Sequence, residues 1–280
     1  MRVGNLSGRL TVFTTAGAVD VEKASGGRFG SDPHHVYDQW ADFTAWAAEA
    51  VGEADGVPFA AEDLASPSPR PAQVFGIGAN YRAHAAEARL AAPEFPVVFT
   101  KFPTSITGPR SEIVLSGPRV DWEAELVVVI GRPARNVPAE RAWDHVAGLT
   151  VGQDISDRTE QMKNQMPQWS LGKSFPGYSP MGPWLVTPDE FADPDDLELS
   201  CTLNGEEVQR TVTSHLLFPV PVLIAELSAK LPLLPGDVLF TGTPAGIGAA
   251  RKPPVFLKPG DELVTTIEGI GDIRQRFRTA

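Results

Sequence analysis

The chain has 280 residues, which is enough for one substantial domain and a smaller appendage. Acidic residues outnumber basic residues by 35 to 24, for a formal net charge of −11, and no basic run exceeds a dipeptide, so we expect no nucleic-acid partner. No apolar run approaches the length of a membrane span and none resembles a signal peptide, so we expect a cytoplasmic protein that does not engage a membrane.

Residues 1–65 predict a small N-terminal α+β domain. Residues 9–13 have the alternating pattern of a short strand, and an amphipathic helix follows whose apolar face predicts core packing rather than a ligand site. The Ser-Pro-Ser-Pro-Arg-Pro run at 66–71 predicts a stiff linker, which leaves 72–280 as the catalytic domain. The apolar face of the helix consists of Trp40, Phe43, Trp46, Ala47 and Ala50.

The segment 75–87 predicts a strand, a glycine-rich turn and a short alanine-rich helix. His84 and Glu87 are three residues apart, so on a helix they share one face, and the carboxylate can orient the imidazole as a general base. The alternative is an ordinary surface pair. The turn is not a dinucleotide-binding fingerprint, because Tyr81 occupies the third glycine position.

Glu123 and Glu125 open a β-branched apolar run that predicts a buried strand. Side chains two apart on a strand leave the same face, and paired buried carboxylates need a positive partner. Asp154 ends the next strand-like segment, so the three acids can converge on a hard cation such as Mg²⁺ or Mn²⁺, with Ca²⁺ as a further candidate. The alternative is a set of solvated acids at exposed strand ends.

The rest of the chain is rich in strands and turns. Asn204-Gly205 between alternating segments predicts a hairpin, 222–229 a helix, and 238–241 and 262–267 strands. The lone Cys201 excludes an internal disulfide and fits a buried strand. The absence of a long βαβ alternation favours a mixed α/β, β-dominated fold over a doubly wound one.

An anionic substrate of so acidic a protein needs local cations. Four basic side chains are candidates, namely Arg82, Lys101, Arg158 and Lys173. The glycine-rich segment 241–248 has no lysine and is not a Walker loop. We expect the Thr243 hydroxyl and nearby amides to receive a substrate carboxylate, against the alternative of a simple tight turn.

Eight ordered motifs resemble the fumarylacetoacetate hydrolase family between residues 72 and 276. The resemblance implies a β-roll catalytic core, a homodimer, Mg²⁺ or Mn²⁺ at the three acids, and a water-activating dyad of His84 and Glu87. The motifs lie at 78–87, 99–105, 121–126, 153–158, 172–175, 204–206, 235–237 and 241–248.

The resemblance also implies that Lys173, aided by Arg158 and Lys101, stabilises negative charge on the substrate. The segment with His84 would act as a lid, and the distal pocket would depend on lid residues such as Arg89, Leu90 and Phe95. One departure from the pattern is Pro176, where many relatives have an aspartate that could pair with the lysine.

These residues predict a metal-dependent hydrolase that cleaves a carbon–carbon bond in an acylpyruvate or related 2,4-dioxo acid. Water deprotonated by His84 would attack the distal carbonyl, and a metal-bound pyruvate enolate would leave. One alternative is an isomerase or decarboxylase of 2-oxo diacids on the same site. The other is a binding protein without turnover.

Overall fold

The structure is a computed structural model that describes residues 1–52, 56–87 and 91–280. The described helices are α1 Val21–Ala24, α2 Trp40–Ala50, α3 Arg82–Glu87, α4 Arg158–Gln161, α5 Trp169–Gly172 and α6 Val220–Lys230. The described strands are β1 Arg2–Leu6, β2 Arg9–Thr14, β3 Gly17–Asp20, β4 Leu64–Ala65, β5 Val74–Gly78, β6 Val97–Thr100, β7 Ile106–Thr107, β8 Arg110–Val114, β9 Val120–Asp121, β10 Ala124–Ile130, β11 Val146–Gln153, β12 Ser156–Asp157, β13 Ser179–Val186, β14 Glu198–Leu203, β15 Glu206–Val212, β16 Val238–Phe240, β17 Glu262–Ile267 and β18 Gly271–Arg278.

Two large sheets dominate the molecule. The first has eleven strands in the order β3-β2-β1-β13-β11-β10-β16-β5-β6, with β4 paired to β1 and β7 paired to β13. The second has five strands in the order β15-β14-β17-β18-β8, and β9 and β12 form a small separate pair. The predicted β-dominated mixed α/β class is confirmed.

Strand β10 lies at the centre of the large sheet. All seven of its residues are buried, which explains its continuous apolar sequence. Leu126 and Val128 pack into one core, and Val127 and Val129 pack into the other, so the strand separates two hydrophobic layers with a period of two. Glu125 therefore leaves the strand on the same face as Val127.

The N-terminal strands extend the large sheet. Strand β1 pairs antiparallel with β13, with Val3 opposite Leu185, and the predicted helix packs Trp40 and Phe43 into the core that contains Val127. In the segment 66–71, the buried Ser68 hydroxyl donates to the Gly236 carbonyl at 2.8 Å. The predicted division at 65 and 72 stays a prediction, while the strand at 9–13 and the helix are confirmed.

The predicted hairpin and the downstream helix are also present. Asn204 and Gly205 have φ of 53° and 82°, which are the left-handed values of a type I′ turn between β14 and β15. Helix α6 spans the predicted 222–229. Within the described ranges, no helix combines the length and apolarity that crossing a bilayer requires.

Candidate active site

Three buried carboxylates meet where β10 begins and β11 ends. These strands are antiparallel with Ala124 opposite Gln153, so Glu123 and Asp154 flank the same rung, and the Asp154 amide donates to the Glu123 carbonyl at 2.9 Å. One oxygen from each of Glu123, Glu125 and Asp154 lies within 4.8 Å of the others. The structure therefore brings together the acids that the sequence predicted as metal ligands.

Glu123 is held between two cations. Its Oε2 lies 2.7 Å from Lys173 Nζ, which also contacts the Asp154 carboxylate, and its Oε1 lies 2.7 Å from Arg158 Nη2. Burial alone would raise the pKa of Glu123, but the charges of Lys173 and Arg158 outweigh burial and lower that pKa to about 2. The side chain is therefore ionised at neutral pH.

Glu125 lacks such compensation. Its Oε2 accepts the Gly242 amide at 2.7 Å, and it forms no ion pair with any lysine or arginine that the structure describes. Burial, together with the negative charges of Asp154 and Glu123, raises the pKa of Glu125 well above its ordinary value. A divalent cation among the three acids would supply the missing charge, so the residues present fit a hard metal ion with oxygen ligands.

Lys101 lies behind the triad. Its Nζ contacts the Asp154 carboxylate and donates to the carbonyls of Lys173 at 2.6 Å and Tyr178 at 3.1 Å, so its three N–H groups all have acceptors. Burial lowers the pKa of Lys101, against the attraction of Asp154. Substrate binding by Lys101 stays a prediction, and the contacts place the side chain where it holds Asp154 in position.

A cavity of about 150 Å³ adjoins the triad. Trp169 and Phe99 form an aromatic wall, edge to face at 5.6 Å, and Lys173 Nζ lies 5.0 Å from the centre of the Phe99 ring. A small anion in this cavity would meet both charged and apolar surface. The polar side chains of its lining belong to His84, Glu123, Arg158, Gln161, Lys173 and Thr243.

The predicted dyad lies at the cavity edge on α3. His84 Nδ1 is buried and lies 3.6 Å from Glu87 Oε2. Both oxygens of Glu87 accept the Gly246 amide at 3.1 Å, which fastens the helix to the segment 241–248. Gly246 has φ of 109°, and a Cβ there would lie 2.1 Å from the Val208 carbonyl oxygen, so only glycine fits.

The remaining predicted residues lie in different places. Thr243 lines the cavity, and its contact with a substrate carboxylate stays a prediction. Arg82 is on α3 but is exposed and is not part of the cavity lining as described. Phe95 is 65% exposed, and Arg89 and Leu90 lie outside the described residues.

Two polar residues of the site were missed by the sequence analysis. Gln161 lines the cavity, its Oε1 accepts from Arg158 at 3.2 Å, and its buried Nε2 has no hydrogen-bond partner among the residues that the structure describes. Asp121 accepts Arg158 Nε at 3.0 Å and the Gly248 amide at 2.7 Å, so it orients the guanidinium. Both have a sequence signal, since Gln161 is three residues from Arg158 on a helix and Asp121 is two before Glu123.

The fold and the acidic site define the class of protein. Residues 73–278 match the model of the family described as fumarylacetoacetate (FAA) hydrolase C-terminal. The chain belongs to the fumarylacetoacetate hydrolase family and is an enzyme of that superfamily with an acidic site that fits a divalent metal.

Three proteins are similar to this chain over two thirds or more of their own length. The chain is 47% identical over 210 residues to human oxaloacetate tautomerase FAHD2A, mitochondrial, covering 74% of this chain and 67% of that protein. A solved structure of a Mycobacterium smegmatis protein provisionally named HpcE is 53% identical, with a TM-score of 0.95 over 100% of both chains. The maleylpyruvate hydrolase of Sphingobium sp. SYK-6, solved with manganese(II) and pyruvate, is 26% identical, with a TM-score of 0.82 over 100% of both chains.

Proposed function

We propose that the protein is a divalent-metal-dependent tautomerase of a small 2-oxo diacid, with oxaloacetate as the first substrate to test. The observation that carries the proposal is the 47% identity to an oxaloacetate tautomerase, in a chain whose buried triad adjoins a small cationic cavity. We therefore prefer an isomerase of 2-oxo diacids to the acylpyruvate hydrolase that the sequence predicted.

Glu123, Glu125 and Asp154 are the residues that would hold Mg²⁺ or Mn²⁺. Such an ion, when bound, supplies Lewis acidity toward the 2-oxo group and its neighbouring carboxylate. Lys173 lines the same cavity, and its ammonium would stabilise negative charge that develops on the substrate oxygen.

The second carboxylate of a diacid needs its own donors. Gln161 Nε2 is buried at the cavity with no hydrogen-bond partner in the described part of the chain, and Arg158 lies beside it with its guanidinium oriented by Asp121. A carboxylate received there would satisfy the free amide and would meet a fixed positive charge. This pair gives the proposal its preference for a diacid over a monoacid.

Tautomerisation needs a proton carrier and no attacking water. His84 Nδ1 faces Glu87, which leaves Nε2 as the nitrogen available to the substrate. We assign Nε2 the transfer of one proton between the enol oxygen and the adjacent carbon, and the Glu87 carboxylate, 3.6 Å from Nδ1 and beyond hydrogen-bond distance, would favour the protonated ring by its charge.

Hydrolysis of an acylpyruvate is the second candidate. It is supported by the shared fold of the maleylpyruvate hydrolase that was solved with manganese(II) and pyruvate. The same dyad would then deprotonate water for attack on the distal carbonyl. Decarboxylation of a 2-oxo diacid would use the same site without that water.

The test compares three outcomes with one preparation of Mg²⁺-loaded protein. The absorbance decay of enol oxaloacetate reports tautomerisation, acylpyruvate decay with pyruvate formation reports hydrolysis, and carbon dioxide release reports decarboxylation. We expect the first rate to exceed the other two.

Asp154→Asn should abolish the tautomerisation rate, whereas Asp144→Asn, a surface control whose partner is Arg141, should not. Faster acylpyruvate cleavage would replace the tautomerase proposal with the hydrolase.

A further inference from the structure

Gln209 connects the five-stranded sheet to the start of β10, where Glu123 and Glu125 lie. In the β14–β15 pairing, Cys201 is opposite Gln209 and Thr202 is opposite Glu207, so Val208 is an extra residue that forms a β-bulge. Gln209 is 2% exposed, and its Oε1 accepts the Ala124 amide, between the two glutamates of the triad, at 3.0 Å. The bulge at Val208 thus lies next to Gln209, whose side chain reaches the edge of the active site.

The orientation of this amide is fixed by its partners. The Ala124 amide can only donate, so the atom that faces it is the Gln209 oxygen. Nε2 therefore donates, and it has two acceptors, the Pro244 carbonyl at 2.9 Å and Thr243 Oγ1 at 2.8 Å. Thr243 consequently uses a lone pair toward Gln209 and keeps its hydroxyl proton.

That proton has no acceptor among the described residues, and Thr243 lines the cavity. We propose that Gln209 is a positioning residue that fixes the Thr243 hydroxyl as a hydrogen-bond donor toward a ligand oxygen in the cavity. The inference rests on the proposed function only in taking a 2-oxo acid anion as the ligand. A Thr243 hydroxyl held in this orientation favours a ligand with a hydrogen-bond acceptor at this point and disfavours a ligand with a donor there.

The test measures the affinity of oxalate for the Mn²⁺-loaded protein by calorimetry. Oxalate is a planar dianion with acceptors only, and it does not tautomerise. Gln209→Glu keeps an acceptor for the Ala124 amide but removes both donors, so the Thr243 hydroxyl turns toward residue 209. We expect oxalate affinity to fall about tenfold, with Mn²⁺ affinity unchanged.

A double-mutant cycle separates this effect from added charge. Thr243→Val should weaken oxalate binding by a similar factor, Thr243→Ser should retain it, and Gln209→Glu should cost nothing further when it is combined with Thr243→Val. A charge effect would persist in that double variant. Gln153→Glu is the matched control, because Gln153 Oε1 accepts the Glu123 amide at 2.9 Å while its Nε2 donates to Thr265 at 2.7 Å, away from the cavity. If Gln153→Glu changes oxalate affinity, we expect the same change whether residue 243 is threonine or valine.

Additive losses, or unchanged oxalate affinity in Thr243→Val, would overturn the inference, and the second result does not require the Gln209 variant to fold. Wild-type protein that binds Mn²⁺ but no oxalate would also overturn it. Because affinity is measured, a protein that shows the coupling but no tautomerase activity would refute the proposed function and leave this inference standing.

Discussion

At the scale of single residues, the site is a balance of buried charges. Glu123 is compensated by Lys173 and Arg158, and Asp154 by Lys101 and Lys173, whereas among the described residues Glu125 accepts only a backbone amide and forms no ion pair. A buried carboxylate that loses its partner retains the cost of desolvation. Glu125 is thus the carboxylate whose negative charge is least compensated. We expect its interaction with a bound metal ion to contribute most to metal affinity.

Lys101→Met should destabilise the fold rather than affect substrate affinity directly. The change removes a buried ammonium from Asp154 and two carbonyls, so we expect a loss of about 3 kcal/mol in the free energy of unfolding, measured with denaturant. Lys163→Met is the control, since Lys163 is 66% exposed and pairs with Glu160 at 3.3 Å, and it should cost less than about 1 kcal/mol. Equal losses of unfolding free energy in the two variants would show that Lys101 has no special structural role.

His84→Gln should reduce turnover by about 10² or more while Mn²⁺ and oxalate affinities stay close to those of the wild type. The reason is that His84 lines the cavity but lies outside the carboxylate triad. Steady-state rates and calorimetry on the same preparation check this. Wild-type turnover in this variant would show that His84 does not transfer the proton. Loss of Mn²⁺ affinity would show that its role is structural.

Glu125 should make metal binding depend on pH. Its raised pKa means that the folded, metal-free protein holds a proton more tightly than the unfolded chain does. Stability without metal should therefore fall as the pH rises from the ordinary glutamate range through the raised pKa, and Mn²⁺ affinity should rise over the same window. Calorimetry in buffers of different ionisation enthalpy should show proton release. Glu125→Gln should abolish the fall in stability, and a fall that persists would contradict the assignment.

At the scale of elements, the site is assembled from strand ends and one glycine-rich segment. Strands β10 and β11 place the acids, and the segment 241–248 supplies the Gly242 amide, the Thr243 hydroxyl and the Gly246 amide. The segment is thus shared by the triad, the cavity and the dyad. Its backbone path should matter as much as its side chains.

Gly246→Ala should displace that segment. A Cβ at this position would lie 2.1 Å from a backbone oxygen, and φ of 109° is unfavourable for alanine, so we expect both stability and turnover to fall. Gly205→Ala is the matched control, because φ is 82° but no atom of the described residues lies within 4 Å of the added atom. It should cost only the roughly 1 kcal/mol of a left-handed residue and leave turnover unchanged. Equal losses of stability in the two variants would mean that the steric contact has no cost.

Local patterns in the sequence predicted those parts of the site that depend on near neighbours. The Glu-x-Glu spacing, the buried strand and the Asn-Gly hairpin each follow from periodicity or turn chemistry. The placement of Lys101 behind Asp154 does not, because it joins residues 53 apart, and the Gln209 contact to Ala124 spans 85 residues. Such contacts depend on strand order and on a bulge, which no short pattern specifies.

At the scale of the whole molecule, one sheet joins the N-terminal strands to the catalytic strands. β1 pairs with β13, and the core on that side includes Phe43 from α2 and Val127 from β10. The terminal ammonium of Met1 donates to Thr187 at 2.7 Å, which fastens the first residue to the end of β13. The two regions are therefore in direct structural contact.

We accordingly expect residues 1–65 and 72–280 to unfold together. Chemical denaturation followed by circular dichroism, by tryptophan fluorescence and by loss of Mn²⁺ binding should give coincident transitions. Leu10→Ala, which empties a buried N-terminal position, should move all three midpoints equally. A separate early transition that leaves Mn²⁺ binding intact would instead support an independent N-terminal domain.

The most direct test of the account is the decay of enol oxaloacetate with chelator-stripped protein, before and after Mg²⁺ is restored. Mg²⁺ alone and Asp154→Asn with Mg²⁺ give the background. We expect little decay above background without metal, a rate restored by Mg²⁺ in the wild type, and keto oxaloacetate as the product. A wild-type rate that does not change when the metal is removed, or that matches the Asp154→Asn background, would contradict it.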